Sequence, residues 1–285
     1  MIERKTKKSI YHTQRIKEFP AAGKWECLTA DRPIFREPGW ERPDGRYRPI
    51  TQNSNTERSA GNGDQAASSP ESIARAVRRA RVALRDYALC TDFSYFVTLT
   101  LDPSKVDRFD MREITRKMQA WCSNNVQRYG LAYVLVPELH KDGAVHFHGF
   151  FNDALPVVDS GTIVRAEGGK PRKPRSKAER AAWLAAGGHI VYNLPAWSLG
   201  FTTAMALWGD YAKAVGYVCK YIGKQQGGEV AQKIGGRWYY SGGKLGRPVI
   251  HYADGDWRDA MEGDTAYSFQ IEAARAFFVK EHGNY

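Results

Sequence analysis

The 285-residue chain carries 42 Lys and Arg against 31 Asp and Glu, a formal net charge of +11, and is 42% hydrophobic and 12% aromatic. That apolar content fills one large core or two small ones and excludes a wholly disordered chain, while the positive surplus points to a polyanionic partner or, more blandly, to solubility. Cys27, Cys90, Cys122 and Cys219 are scattered with no CxxC pair, which argues against a zinc finger or disulfide scaffold and suits a reducing cytoplasm; with no apolar leader after MIERKTKKSI and no run of eighteen apolar residues, a soluble intracellular protein without a membrane partner is expected.

In chain order, residues 1–68 are polar, broken by Pro and Gly, and run into TQNSNTERSAGNGDQAASS, which reads as a basic, largely disordered arm and linker. Ser69 can then cap a helix with Pro70 at its first position, and Ile73, Val77, Ala80, Leu84 and Tyr87 recur at helical spacing to about Leu89. FVTLTL (Phe96 to Leu101) is β-branched and ends at Asp102-Pro103, the pattern of a strand, and a helix follows over Met111 to Tyr129. YVLVPEL and AVHFHGFF read as two strands around His140-Lys141-Asp142-Gly143, the clearest hairpin signal in the chain. Residues 152–188 break the pattern; their run of Lys170, Arg172, Lys173, Arg175, Lys177 and Arg180 reads as a solvated basic loop, with DNA contact as the alternative. His189 to Leu194 is a further strand, Asp210 to Gly223 a helix striped by Ala212, Val215, Val218 and Ile222, and RWYYS near residue 240 a last strand. Arg237-Trp-Tyr-Tyr240 offers aromatics beside charge for base stacking, or simply core. Strands and helices mix without a βαβ or internal repeat, so the expected fold class is α+β, an antiparallel sheet of about five strands with helices on one face. The expected organisation is an arm over 1–68, a catalytic-sized domain over 69–250 and a C-terminal extension over 251–285.

The chemistry concentrates in the hairpin. Residues two apart in a strand share a side, so His146 and His148 project together while Val145, Phe147 and Phe151 face away. Glu138 lies opposite His146 if the loop is the three residues Lys141-Asp142-Gly143, with Gly143 in the left-handed position; a two-residue Asp142-Gly143 loop would set Glu138 against Phe147 instead. Two imidazoles and a carboxylate leave coordination positions open for substrate, a set suited to Mn²⁺ or Mg²⁺ on phosphate, with zinc chemically possible. His140 is a fourth candidate, near enough to the turn for a solvated or supporting role.

A second cluster is AVGYVCKYIGK, where Tyr217 and Tyr221 are four apart, as are Lys220 and Lys224. On a helix such pairs are surface neighbours. A phenol has an ordinary pKa of about 10 and needs a nearby cation or metal to attack, and each tyrosine has a lysine three residues on.

Taken together these residues resemble the HUH-endonuclease superfamily, and within it the rolling-circle replication initiators of small single-stranded DNA phages and plasmids, over roughly residues 70 to 250. The three ordered motifs correspond to Phe96-Val-Thr-Leu-Thr100, to Glu138-Leu-His-Lys-Asp-Gly-Ala-Val-His146-Phe-His148 and to Tyr217-Val-Cys-Lys220-Tyr221-Ile-Gly-Lys224. The resemblance implies a divalent metal, Mg²⁺ or Mn²⁺, at Glu138, His146 and His148, a strand whose Thr98 and Thr100 approach DNA, and attack by a tyrosine to leave a 5′-phosphotyrosyl link and a free 3′-hydroxyl. Either Tyr217 or Tyr221 fits the Tyr-x-x-Lys pattern; Tyr217 is preferred, with Lys220 as its electrostatic helper and Lys224 in the same role for Tyr221. It further implies origin single-stranded DNA as substrate and action in a bacterial host cytoplasm. No GxxxxGK[ST] phosphate loop occurs, so unwinding falls to a host helicase and extension to a host polymerase. The alternatives are a relaxase or single-tyrosine transposase, a non-catalytic nucleic-acid-binding domain, and a hydrolase using activated water.

Overall fold

The computed structural model describes residues 6–30, 32–41, 47–49, 69–140, 142–207, 211–222, 232–255 and 276–281, and the chain divides into two units. One is continuous, Ala66–Gly246; the other is built from both ends, Met1–Gln65 with Arg247–Tyr285.

In the terminal unit, β1 (Thr6–His12) pairs with β4 (Phe35–Glu41), which pairs with β5 (Tyr47–Pro49). A second sheet takes β2 (Gln14–Phe19) and β3 (Lys24–Thr29) from the N-terminal segment and β13 (Val249–Ala253) and β14 (Ala276–Glu281) from the C-terminal one, in the order β13-β2-β3-β14. Phe19, Cys27, Ala30 and Phe35 are buried. Residues 6–30 and 32–41 therefore carry strands rather than the expected disordered arm; β1, β4 and β5 pair among themselves, while β2 and β3 take their outer partners, β13 and β14, from the C-terminal end of the chain. For β2 and β3 the reason is non-local: their pairing with β13 and β14 spans more than two hundred residues, which no local window of sequence sees. The linker over 50–68 lies outside the described residues.

The continuous unit begins with α1 (Pro70–Cys90), where the Ser69 hydroxyl accepts the Ser72 N–H at 3.3 Å and Pro70 occupies the first turn. There follow β6 (Tyr95–Leu101), α2 (Met111–Tyr129), β7 (Tyr133–Leu139), β8 (Val145–Phe151), β9 (Val158–Val164), α3 (Lys177–Ala185), β10 (His189–Asn193), β11 (Gly200–Ala206), α4 (Tyr211–Tyr221) and β12 (Tyr240–Gly242). The sheet has seven strands rather than about five, in the order β12-β7-β8-β6-β11-β10-β9, each pairing antiparallel.

One sheet face carries Val97, Leu99, Leu101, Leu135, Phe147 and Phe151 onto Ile114, Met118, Trp121 and Cys122 of α2. That helix starts at Asp110, whose carboxylate accepts the Arg112 and Glu113 N–H groups, and stops at Gly130 with φ 73°. The opposite face carries Val134, Val136 and Phe150, all fully buried, and α1 and α4 pack together there over β7 and β8. The Arg81 guanidinium donates to the Ile222 carbonyl at 3.2 and 2.8 Å, satisfying a carbonyl just past the end of α4. Helices thus cover both faces, not one as expected. The sequence carries a signal for this: the unbroken apolar run before Glu138 in β7 belongs to a strand buried on both sides.

The interval 152–188, expected as a solvated loop, holds β9 and α3, with Ser176 capping α3 by accepting the Glu179 N–H at 3.0 Å. Gly161 breaks the alternation of β9, and no residue of α3 is buried to mark a core-facing stripe. At the other edge RWYYS becomes strand only from Tyr240, whose ring is 2% exposed in the core against Phe147, so Tyr240 serves packing rather than base stacking. Among the described residues no helix is long and apolar enough to cross a membrane.

Candidate metal centre and tyrosine pair

The β7–β8 register sets Glu138 opposite His146 and Leu139 opposite Val145. The connection is the three-residue form, closed by the His140 N–H donating to the Ala144 carbonyl at 2.7 Å, with Gly143 at φ 84°. The Asp142 carboxylate accepts the Ala144 N–H at 3.0 Å, and that bond first of all holds its carboxyl below the usual carboxylate range. Lys141 lies outside the described residues.

On the other side of β8, β6 sets Thr100 opposite His146 and Thr98 opposite His148. Directly opposed residues share a face, so Glu138, both histidines and both threonines stand on one side. The Nε2 atoms of His146 and His148 lie 3.1 and 3.0 Å from the same Glu138 oxygen, Oε2, and all three side chains are at most 15% exposed. One ligand atom from each residue fits within 4.8 Å of the others. The Thr98 hydroxyl and His148 Nδ1 are 3.1 Å apart, a contact that fixes the imidazole and leaves Nε2 aimed at the carboxylate. The donor set therefore fits a divalent cation with coordination positions left open. His140 is exposed, its ring centroid 4.5 Å from that of His146, outside the three-residue cluster.

The helix α4 brings the tyrosines to this cluster. Val215, Val218 and the following Ile222 are buried, turning Tyr217 and Tyr221 toward β8 and β6; the Ala212 side chain lies outside the described residues. The Tyr221 ring stacks on His148 at 4.3 Å between centroids, and Tyr217 meets Phe96 edge-on at 5.8 Å. The Tyr221 hydroxyl donates to the Tyr217 hydroxyl. Burial pushes the Tyr221 phenol above its ordinary range, followed by that hydrogen bond and the electrostatic influence of Tyr217 and of the Glu138 carboxylate. Tyr217 is 48% exposed, the more open of the two to a substrate. Lys220 is exposed on the same helix; Lys224 lies outside the described residues.

Of the expected DNA contacts, Thr98 and Thr100 are beside the cluster, Thr98 in an additional role, orienting His148. Lys170, Arg172, Lys173 and Arg175 are exposed on the chain between β9 and α3, at the sheet edge four strands from β8, and the fold does not bring them to the metal cluster. Sequence reasoning misses Phe96 as part of the site. Its ring lies nearly parallel to His148, 9° between planes, and a signal for it exists: the alternation of β6 places residue 96 on the face of Thr98 and Thr100.

Residues 94–226 match the family described as replication-associated protein ORF2. The match supports a replication initiator, and the HUH superfamily is consistent with that family. The matched segment spans β6 through α4, so it contains the whole cluster and both tyrosines, and it leaves the terminal unit outside. No curated protein and no solved structure matches the chain.

Proposed function

We propose that the protein nicks and rejoins single-stranded origin DNA through a covalent 5′-phosphotyrosine intermediate, so starting rolling-circle replication. The observation that carries this reading is the stacking of Tyr221 on His148, which sets a tyrosine pair against a two-histidine, one-carboxylate cluster inside the replication-associated segment.

Glu138, His146 and His148 would hold Mg²⁺ or Mn²⁺, which when bound supplies charge stabilisation to the scissile phosphate. Thr98 holds His148 in orientation. Tyr217, accepting from Tyr221 and open to solvent, is the preferred nucleophile: its phenolic oxygen bonds to phosphorus, the bond from phosphorus to the 3′ oxygen breaks, and the phenolic proton is made up on the leaving 3′ oxygen through solvent. Tyr221 holds the Tyr217 hydroxyl in place and is available for the second transfer that rejoins the strand. Lys220 offsets the developing charge, with Lys224 as the corresponding group for Tyr221. The exposed cations Lys170, Arg172, Lys173 and Arg175 contact DNA phosphates away from the cut. A host helicase opens the duplex and a host polymerase extends the 3′ end, in the bacterial cytoplasm.

Cleavage of a single-stranded origin oligonucleotide in Mn²⁺ tests the reading. A 3′ end that a polymerase extends, lost in His146→Ala and His148→Ala, is the expected result; metal-independent cutting, or a 3′-phosphate that blocks extension, would refute it.

A further inference from the structure

The row of paired residues that holds the metal cluster continues across the sheet. Glu138 opposes His146, His146 opposes Thr100, and Thr100 opposes Phe201 on β11, so all four stand on the same face. At a strand spacing of about 4.8 Å, Phe201 lies roughly 10 Å from His146, a reach of a few nucleotides. The next residues of β11 agree with this phase: Ala204 is fully buried on the α2 side, while Phe201 and Thr203 are exposed on the cluster side.

Where α4 covers β8 the aromatic residues are engaged: Tyr221 on His148, Phe96 against Tyr217. Phe201 is 65% exposed, the most exposed of the large hydrophobic side chains among the described residues. Its apolar ring on an open sheet face has no role in the core, and Thr98, Thr100 and Thr203 set hydroxyls along the same surface. A flat ring flanked by hydroxyls, continuous with a phosphate-directed site in a chain of charge +11, matches a nucleobase better than an apolar protein partner, because every base offers a stacking face and each carries an anionic link.

Building on the proposed nicking reaction, we infer that Phe201 stacks a base of the single-stranded substrate beside the scissile phosphate, so that the open face of β6 and β11 is the track along which the strand reaches the metal cluster.

The test uses the full chain and single-stranded oligonucleotides with 2-aminopurine placed at successive positions on both sides of the cut. One position is expected to be quenched on binding; Phe201→Ala should relieve that quenching and weaken binding about 5- to 150-fold, while Phe201→Trp retains both. The ring is exposed, so the thermal melt and Mn²⁺ binding should be unchanged in all variants. Equal affinity and quenching in Phe201→Ala, with cleavage by the wild type intact, would overturn the stacking role and leave the nicking reaction standing. Failure of the wild type to bind or cut any single strand would overturn both.

Discussion

His148 shows how one side chain is fixed by three neighbours: the Thr98 hydroxyl at Nδ1, the Glu138 carboxylate at Nε2 and the Tyr221 ring stacked on its face. Removing the hydroxyl while keeping the shape, in Thr98→Val, should lower Mn²⁺ affinity about 10- to 100-fold with little loss of stability, read by isothermal titration calorimetry beside a thermal melt. An unchanged affinity would make the contact incidental. Each imidazole must be neutral to ligate through Nε2, so metal binding should release protons and weaken as pH falls, a dependence that His146→Ala would reduce. Titrations in buffers of different ionisation enthalpy measure that release.

Within elements, the hairpin decides whether the cluster exists. Its three-residue loop is legible in the sequence because Gly143 occupies the left-handed position, and the register of Glu138 with His146 follows from it. Asp142 braces the turn, and its depressed carboxyl pKa has a definite sign: the contribution is present above the unfolded carboxylate value and is lost as pH falls through the folded one. Gly149 cannot be read this way. A Cβ there would stand 1.8 Å from the Val134 carbonyl oxygen on β7, so Gly149→Ala should cost about 1–3 kcal/mol in urea denaturation and displace the adjoining His148. Helices α1, α2 and α4 are also legible from caps and periodicity, since Ser69, Asp110 and Gly130 act locally. The strand β9 is not, because Gly161 interrupts its alternation, and α3 is not, because none of its residues is buried to mark a core-facing stripe; the sheet of β2 and β3 is not, because their outer partners β13 and β14 lie at the far end of the chain. The site is readable where spacing alone fixes it, as in His-x-His and Tyr-x-x-x-Tyr. Contacts across elements, such as Tyr221 on His148, depend on how α4 seats on the sheet.

For the whole molecule, charge and chemistry are separated along the sheet. The candidate metal cluster and the tyrosines sit on β7, β8 and α4, while Lys170, Arg172, Lys173 and Arg175 lie beyond β9 at the far edge. Replacing those four by Ala should flatten the dependence of log Kd on log salt by up to about 3, at roughly 0.7 for each single-strand phosphate that is no longer neutralised, without changing the cleavage rate at saturating DNA. An unchanged slope would return the run to a solvated surface. Whether a tyrosine of α4 is the nucleophile is tested most directly by a denaturing gel of labelled single-stranded origin DNA incubated with Mn²⁺ and the wild type, Tyr217→Phe, Tyr221→Phe or both changes together. A covalent protein–DNA adduct is expected in the wild type, strongly reduced in Tyr217→Phe and absent in the double variant; cleavage by the wild type without any adduct, or an adduct surviving in the double variant, would contradict a tyrosine nucleophile.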